Sequence, residues 1–215
     1  TLFRSGLMEA ILEAVPDLRW LRLMYGYPVH VSSRLVRVMA TDPRICHYLD
    51  LPLQHADPDV LRRMRRPANV DRTRSLISNL RAEMPDLALR TAFIVGYPGE
   101  TDREYEALLD FVTEIEPDRM GVFQYSPEEG TTAGSLPGAV PDELKKLRHD
   151  HLMALQQRIS LERNQAQVGR RLDILIEGVG DGMSVGRSYR DAPEIDGLVF
   201  LPGEMPVGEM ISSVV

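Results

Sequence analysis

The sequence predicts an α/β chain: a partial βα barrel of parallel strands followed by a small all-β module. Three observations predict it. Short apolar runs each end in a loop and lead into an amphipathic helical stretch, recurring roughly every 30 residues as βαβ units do. A long helical pattern then starts at Pro141 and reaches about Gln165. After Gly169 the texture changes to short strands separated by Gly- and Pro-rich turns, the signature of a small β-barrel.

The elements follow in order. Strand Leu21–Tyr25 (LRLMY) ends at Gly26-Tyr27-Pro28, and a helix over Ser32–Met39 stops near Pro43. Strand Tyr48–Leu53 (YLDLPL) ends at Gln54-His55, with helical stretches over Val60–Met64 and Asp71–Met84. Strand Leu89–Val95 (LRTAFIV) ends at Gly96-Tyr97-Pro98-Gly99. A helix over Asp102–Ile115 follows, opened by a capping box in which Thr101 and Glu104 satisfy each other's backbone amides. Strand Arg119–Tyr125 (RMGVFQY) ends at Ser126-Pro127. Pro141 followed by Asp142 and Glu143 suits a helix start, because acids favour the positive end of the dipole. The β-module strands are expected over Leu172–Glu177, Ser184–Ser188, Leu198–Leu201 and Met210–Val215. Four parallel strands fall short of a closed barrel, and a small closed β-module takes about five strands. Further strands are therefore expected on both sides. The expected division is a non-native start over 1–5, where Thr1-Leu2-Phe3-Arg4-Ser5 spells the peptide of a common sequencing adapter. The barrel portion covers 6–150, a linker helix 151–167, and the β-module 168–215.

Composition narrows the function classes. The one cysteine, Cys46, cannot build a disulfide framework, which points to a reducing cytoplasm. No apolar run reaches the ~18 residues of a membrane-spanning helix. A net charge of −7 excludes a protein whose main task is coating nucleic acid. Arginine outnumbers lysine 23 to 2, but the arginines are dispersed. The exception is the run Arg62, Arg63, Arg65 and Arg66, which offers a contact to a carboxylate or phosphate, or simply a solvated helix face.

In βα barrels the ligand site lies at the carboxyl ends of the strands. That selects Tyr25–Pro28, Gln54–Ala56, Gly96–Glu100 and Tyr125–Gly130. Gly96 and Gly99 let backbone approach a ligand, or merely make a tight turn. His55 is the histidine at the right end, whereas His149 and His151 stand two apart on a helix and cannot share a metal. Cys46 precedes the Tyr48 strand, at the opposite end. No nucleophile–base pair and no Gly-rich phosphate loop is present.

Three stretches carry a family resemblance: YLDLPLQHADPDVLRRMRRP (Tyr48–Pro67), TAFIVGYPGETDREYEALLDF (Thr91–Phe111) and GVFQYSPEEGT (Gly121–Thr131). They resemble the radical S-adenosylmethionine (SAM) methylthiotransferases, and the β-module resembles the OB-like TRAM domain of those enzymes. GRSYRDAPEIDG (Gly186–Gly197) and PLQHA (Pro52–Ala56) resemble the RimO-type branch. The resemblance implies a partial radical SAM, TIM-like barrel and a parent enzyme, cytoplasmic and monomeric. That parent would add a methylthio group to an aspartate of the twelfth small-subunit ribosomal protein, using SAM and two 4Fe–4S clusters. It implies a cofactor cradle at Gln54, His55, Ile94, Gly96, Tyr97, Gly99, Tyr125 and Ser126. For recognition of the substrate protein it implies Arg187, Tyr189, Arg190, Asp191 and Glu194. The family's cluster cysteines lie upstream of this chain; Cys46 alone ligates no cluster, no catalytic residue is identifiable, and the chain alone is expected to be inactive. The family's Gly-x-Ile-x-Gly-x-x-Glu is matched imperfectly: Ala92 takes the first glycine and the acid falls one place late, at Glu100. Glu100 is thus expected only to help start a helix. The rival branch modifies a transfer-RNA adenosine. From Val168 on, four arginines stand against eight acids, a net −4 that suits a basic protein better than a phosphate backbone. A non-catalytic interaction fragment is the remaining alternative.

Overall fold

The computed structural model describes residues 2–215; Thr1, in the expected non-native start, lies outside the described residues. The chain opens with a helix that the sequence reading did not foresee, α1 (Leu2–Ala14). Its Met8 and Leu12 enter the main core, next to α2 (Ser33–Thr41), whose first turn is capped by the Ser32 hydroxyl.

Four strands, β1 (Leu21–Leu23), β2 (Ile45–Asp50), β3 (Ala88–Val95) and β4 (Arg119–Gln124), form a parallel sheet in that order. β2 lies three residues earlier than expected. Leu21 pairs with Ile45, which starts the strand there, and Pro52, lacking an N–H, interrupts the ladder before Gln54 resumes it. Cys46 therefore sits inside a strand, not ahead of one. Alternation divides each strand between two faces. Leu49, Leu51 and Leu53 join Leu89, Phe93 and Val95 on the helix-covered face. That face is covered by α4 (Val70–Glu83), α5 (Asp102–Ile115) and α6 (Asp142–Gln165), and Phe93 meets Phe111 edge-on at 6.4 Å. Side chains of the other parity, Cys46, Tyr48 and Ala88 among them, form a separate cluster on the concave face. Between β2 and α4 lies the short helix α3 (Pro58–Arg63), capped by the Asp57 carboxylate. The Thr101–Glu104 capping box of α5 is present as the sequence predicts.

The β-module is antiparallel: β5 (Arg171–Gly180), β6 (Met183–Ser188), β7 (Val199–Pro202) and β8 (Met210–Val214), in the order β7-β6-β5-β8. Asp181 and Gly182 join β5 to β6 with φ of 54° and 72°, the paired positive values of a tight hairpin turn. Its own core is small, Ile174, Ile176 and Leu201 with partly buried neighbours such as Leu172 and Val199. The module is therefore not held by its core alone. The β6–β7 connection reaches back: Ala192 and Tyr189 pack with Cys46, Tyr48, Ala88, Trp20 and Met24 on the concave face of the parallel sheet.

Candidate functional site

The carboxyl ends of β2, β3 and β4 meet at one edge. Gln54 sits there with φ of 72°, a left-handed conformation that an L side chain adopts at a cost of about 1 kcal/mol. The ladder holds it: its N–H donates to the Ala92 carbonyl and its carbonyl accepts from the Ile94 N–H, both at 2.8 Å. Ile94 is half-buried, and its parity places it on the concave side.

Gly96 follows with φ of 74°, and a Cβ there would stand 2.3 Å from Cγ of Lys145. Helix α6 thus passes too close for any other residue. The Gly99 N–H donates to the Gly138 carbonyl at 2.7 Å, closing the other side of the loop. Tyr97 is buried; its hydroxyl donates to the Arg63 carbonyl at 3.1 Å, and its ring meets Tyr125 edge-on at 5.0 Å. Burial and the neighbouring Tyr125 push the Tyr97 hydroxyl up from its ordinary value, with Arg63 and Arg65 opposing. Ser126 is exposed.

Behind this edge lies a buried polar network. Glu100 accepts the Gly96 N–H on Oε2 at 3.0 Å and pairs through Oε1 with Arg148 Nη1 at 2.7 Å. Arg148 also donates to the Glu100 carbonyl and to Asp102. His55 is enclosed in the same network: Nδ1 accepts the Asp57 N–H at 3.0 Å, and Nε2 lies 3.3 Å from Glu100 Oε2, off the line of a good hydrogen bond. His55 stands behind the loop with both ring nitrogens facing protein groups. One expectation changes here. Glu100 does more than start a helix, since it fixes the Gly96 amide and anchors the loop to α6. No spacing pattern announced Arg148, 48 residues from Glu100 along the chain. The strand ends thus bring Gln54, Ile94, Gly96, Tyr97, Gly99 and Tyr125 together. Beside them Tyr25, with φ of 54°, is an exposed aromatic in a left-handed conformation at the end of β1.

The Gln54 turn, the half-buried Ile94 and the Tyr97–Tyr125 pair fit a flat, polar-edged ligand such as an adenosine group. They do not fit an iron–sulfur cluster, which needs several thiolates. Cys46 is buried near the start of β2, where burial raises its thiol pKa and keeps it protonated.

The residues expected to recognise a protein partner are mostly spent inside the molecule. Tyr189 donates its hydroxyl to the Asp86 carbonyl at 2.8 Å, Arg190 reaches Asp118 at 2.5 Å, and Asp191 pairs with Arg119 at 2.8 Å. Arg22 donates to the Tyr189 carbonyl and stacks over the Tyr48 ring. Arg187 is paired with Glu177, which leaves only Glu194 of the five exposed and unpaired. Charges buried against the sheet are most favourable when paired there, so this connection works as a strap fastening the β-module to the barrel.

Residues 12–112 match the Radical SAM superfamily, and residues 168–215 match the TRAM domain. The chain is 54% identical over 212 residues to the ribosomal protein uS12 methylthiotransferase RimO of Chloroflexus aurantiacus, covering 96% of this chain and 47% of that protein. The Herpetosiphon aurantiacus protein of the same name is 53% identical over 208 residues, 94% of this chain and 44% of that one. The chain therefore spans under half the length of these relatives. Coproporphyrinogen III oxidase (HemN) from Escherichia coli shares the fold, with a TM-score of 0.58 at 16% identity over 72% of this chain and 37% of that one.

Proposed function

We propose that this chain, whose residues 12–112 match the Radical SAM superfamily and 168–215 the TRAM domain, supplies part of the cofactor cradle and the TRAM module of a RimO-type methylthiotransferase. That enzyme adds a methylthio group to an aspartate of ribosomal protein uS12, in the cytoplasm and as a monomer. The similarity to RimO proteins over nearly the whole chain carries this reading. When bound, S-adenosylmethionine supplies a methyl group and, on reductive cleavage, a radical able to abstract hydrogen. Gln54, Ile94 and the Gly96 backbone would hold its adenosine end, with Tyr97 and Tyr125 closing that side. The His55–Glu100–Arg148 network keeps these groups in place without touching the ligand, which preorganises the site. Two 4Fe–4S clusters are proposed to be held by thiolates other than Cys46.

Charge favours a basic protein as substrate over transfer RNA. Of the eight acids in the TRAM segment, Asp191 and Asp196 face the barrel and Glu177 pairs with Arg187. Asp173, Asp181, Glu194, Glu204 and Glu209 remain on the surface, against Arg170 and Arg171. A phosphate backbone would be repelled by this surface. The test is to reconstitute the full-length parent with iron and sulfide and offer it uS12 and transfer RNA. Mass spectrometry should show methylthio addition to the protein; modification of the RNA alone would overturn the reading.

A further inference from the structure

The run of arginines that ends α3 and follows it is divided by the fold. Arg62 pairs with Asp59, and Arg63 donates from both terminal nitrogens to Glu104 Oε1 at 3.0 Å. Arg65 and Arg66 are exposed and have no carboxylate partner among the described residues. Arg65 has a φ of 55°, at the end of α3, where the Arg66 N–H reaches back to the Leu61 carbonyl at 2.8 Å. Glycine or asparagine is the relaxed choice at such a helix end, and an arginine there costs about 1 kcal/mol. The strained turn sets both residues beside the strand ends. The Arg66 guanidinium lies 5.8 Å from the Tyr27 ring centre, after β1, and Arg66 lines a small cleft with Pro52, Leu53 and His55, after β2. The Tyr97 hydroxyl, after β3, donates at 3.1 Å to the carbonyl of Arg63, two residues before Arg65. Two unneutralised cations thus border three strand ends in a chain whose net charge is −7.

We propose that Arg65 and Arg66 form a carboxylate-binding rim that receives the side-chain carboxylate of the residue being modified. This rests on the functional reading above and deepens it. An aspartate must be told from an asparagine of the same shape, and the acidic surface of the TRAM module offers no attraction for it. A planar guanidinium binds a carboxylate through two parallel hydrogen bonds, which an amide cannot reciprocate with equal strength. S-adenosylmethionine also carries a carboxylate, on its methionine end, and the two sources share this chemistry.

The experiment separates them. In the full-length holoenzyme, Arg65→Gln, Arg66→Gln and Arg66→Lys are compared with wild type. Three affinities are measured: for a uS12 loop peptide bearing the target aspartate, for the same peptide with asparagine, and for S-adenosylmethionine. Wild type should prefer the aspartyl peptide by about tenfold or more. Each glutamine variant should lose most of that preference while keeping its affinity for S-adenosylmethionine, and the lysine variant should recover only part. Equal binding of both peptides by wild type would overturn the proposal. So would loss of S-adenosylmethionine affinity in the glutamine variants, which assigns the rim to the cofactor, or transfer-RNA binding that depends on the arginines. Methylthio transfer is followed in parallel. Selective aspartyl binding without modification of uS12 would remove the functional reading and leave the rim standing.

Discussion

Tyr48 and Asp196 lie 148 residues apart in sequence, yet the Tyr48 hydroxyl donates to the Asp196 carboxylate at 2.6 Å. Burial, and then this hydrogen bond, hold the Tyr48 hydroxyl far above its ordinary pKa, so it stays a donor at every physiological pH. The same carboxylate accepts the Ala192 N–H and lies 3.5 Å from Arg90 Nε, which itself reaches Asp50. One acid of the β-module thereby joins two strands of the parallel sheet to the strap.

Asp196→Ala should loosen that joint. It leaves the Tyr48 hydroxyl and the Ala192 amide without their acceptor and weakens the hold on Arg90, a loss of about 2 to 4 kcal/mol. Urea unfolding gives the magnitude. Hydrogen exchange should rise first in the 186–197 segment; a uniform rise over the whole chain would show that the strap is not a separate fastening.

Gly96→Ala tests the packing of α6 on the loop. The new methyl meets Lys145 Cγ and is also strained by the positive φ, so a destabilisation of about 2 to 4 kcal/mol is expected. Adding Lys145→Ala should relieve most of the clash, leaving the 3.2 Å approach to the residue-145 Cβ and a backbone strain of about 1 kcal/mol. A double-mutant cycle on melting temperature measures this, and additive single effects would contradict the contact.

Glu100→Ala should be worse than replacing the pair. It leaves the buried Arg148 without its main counter-charge and the Gly96 amide without its acceptor, at about 3 to 5 kcal/mol. Glu100→Leu with Arg148→Met should recover much of the stability. It would not recover cofactor affinity, because the loop loses its anchor. Calorimetry of the variants and S-adenosylmethionine binding in the full-length enzyme separate the two effects.

Acid should weaken the α3–α5 contact. Burial raises the pKa of Glu104, but hydrogen bonds from Arg63 and from the Thr101 amide and hydroxyl outweigh it, so the net pKa falls below the ordinary 4.5. A carboxyl depressed in the folded state stabilises fully above its unfolded value and loses that contribution as pH falls through the folded value. Stability should therefore drop below about pH 4.5, and Glu104→Gln should flatten that part of the curve in denaturant titrations.

Much of the architecture was legible along the chain. Short apolar runs closed by loops, two of them Gly-Tyr-Pro, located the parallel strands, and Thr101 with Glu104 located the start of α5, because both signals are short-range. The β-module was legible for the same reason, through Gly182 and its other turn residues. Helix α1 was missed, since its apolar positions make sense only once Met8 and Leu12 have the α2 face to bury against.

By itself the sequence determined the order of elements and the strand-end segments that hold Gln54, Gly96, Tyr97 and Tyr125; Ile94 was named only through the family resemblance. Those follow from backbone periodicity and from the rule that parallel βα units present one end of the sheet. Only the tertiary structure decided which polar residues work within the molecule. It set His55 against Asp57 and Glu100, gave Glu100 to Gly96 and Arg148, and tied Tyr189, Arg190 and Asp191 to Asp86, Asp118 and Arg119. It also left Arg65 and Arg66 unpaired beside the strand ends. The physical reason is that a charge has no local pattern that announces its partner. Pairing is settled by which buried surfaces come together, and here those surfaces lie 40 to 167 residues apart.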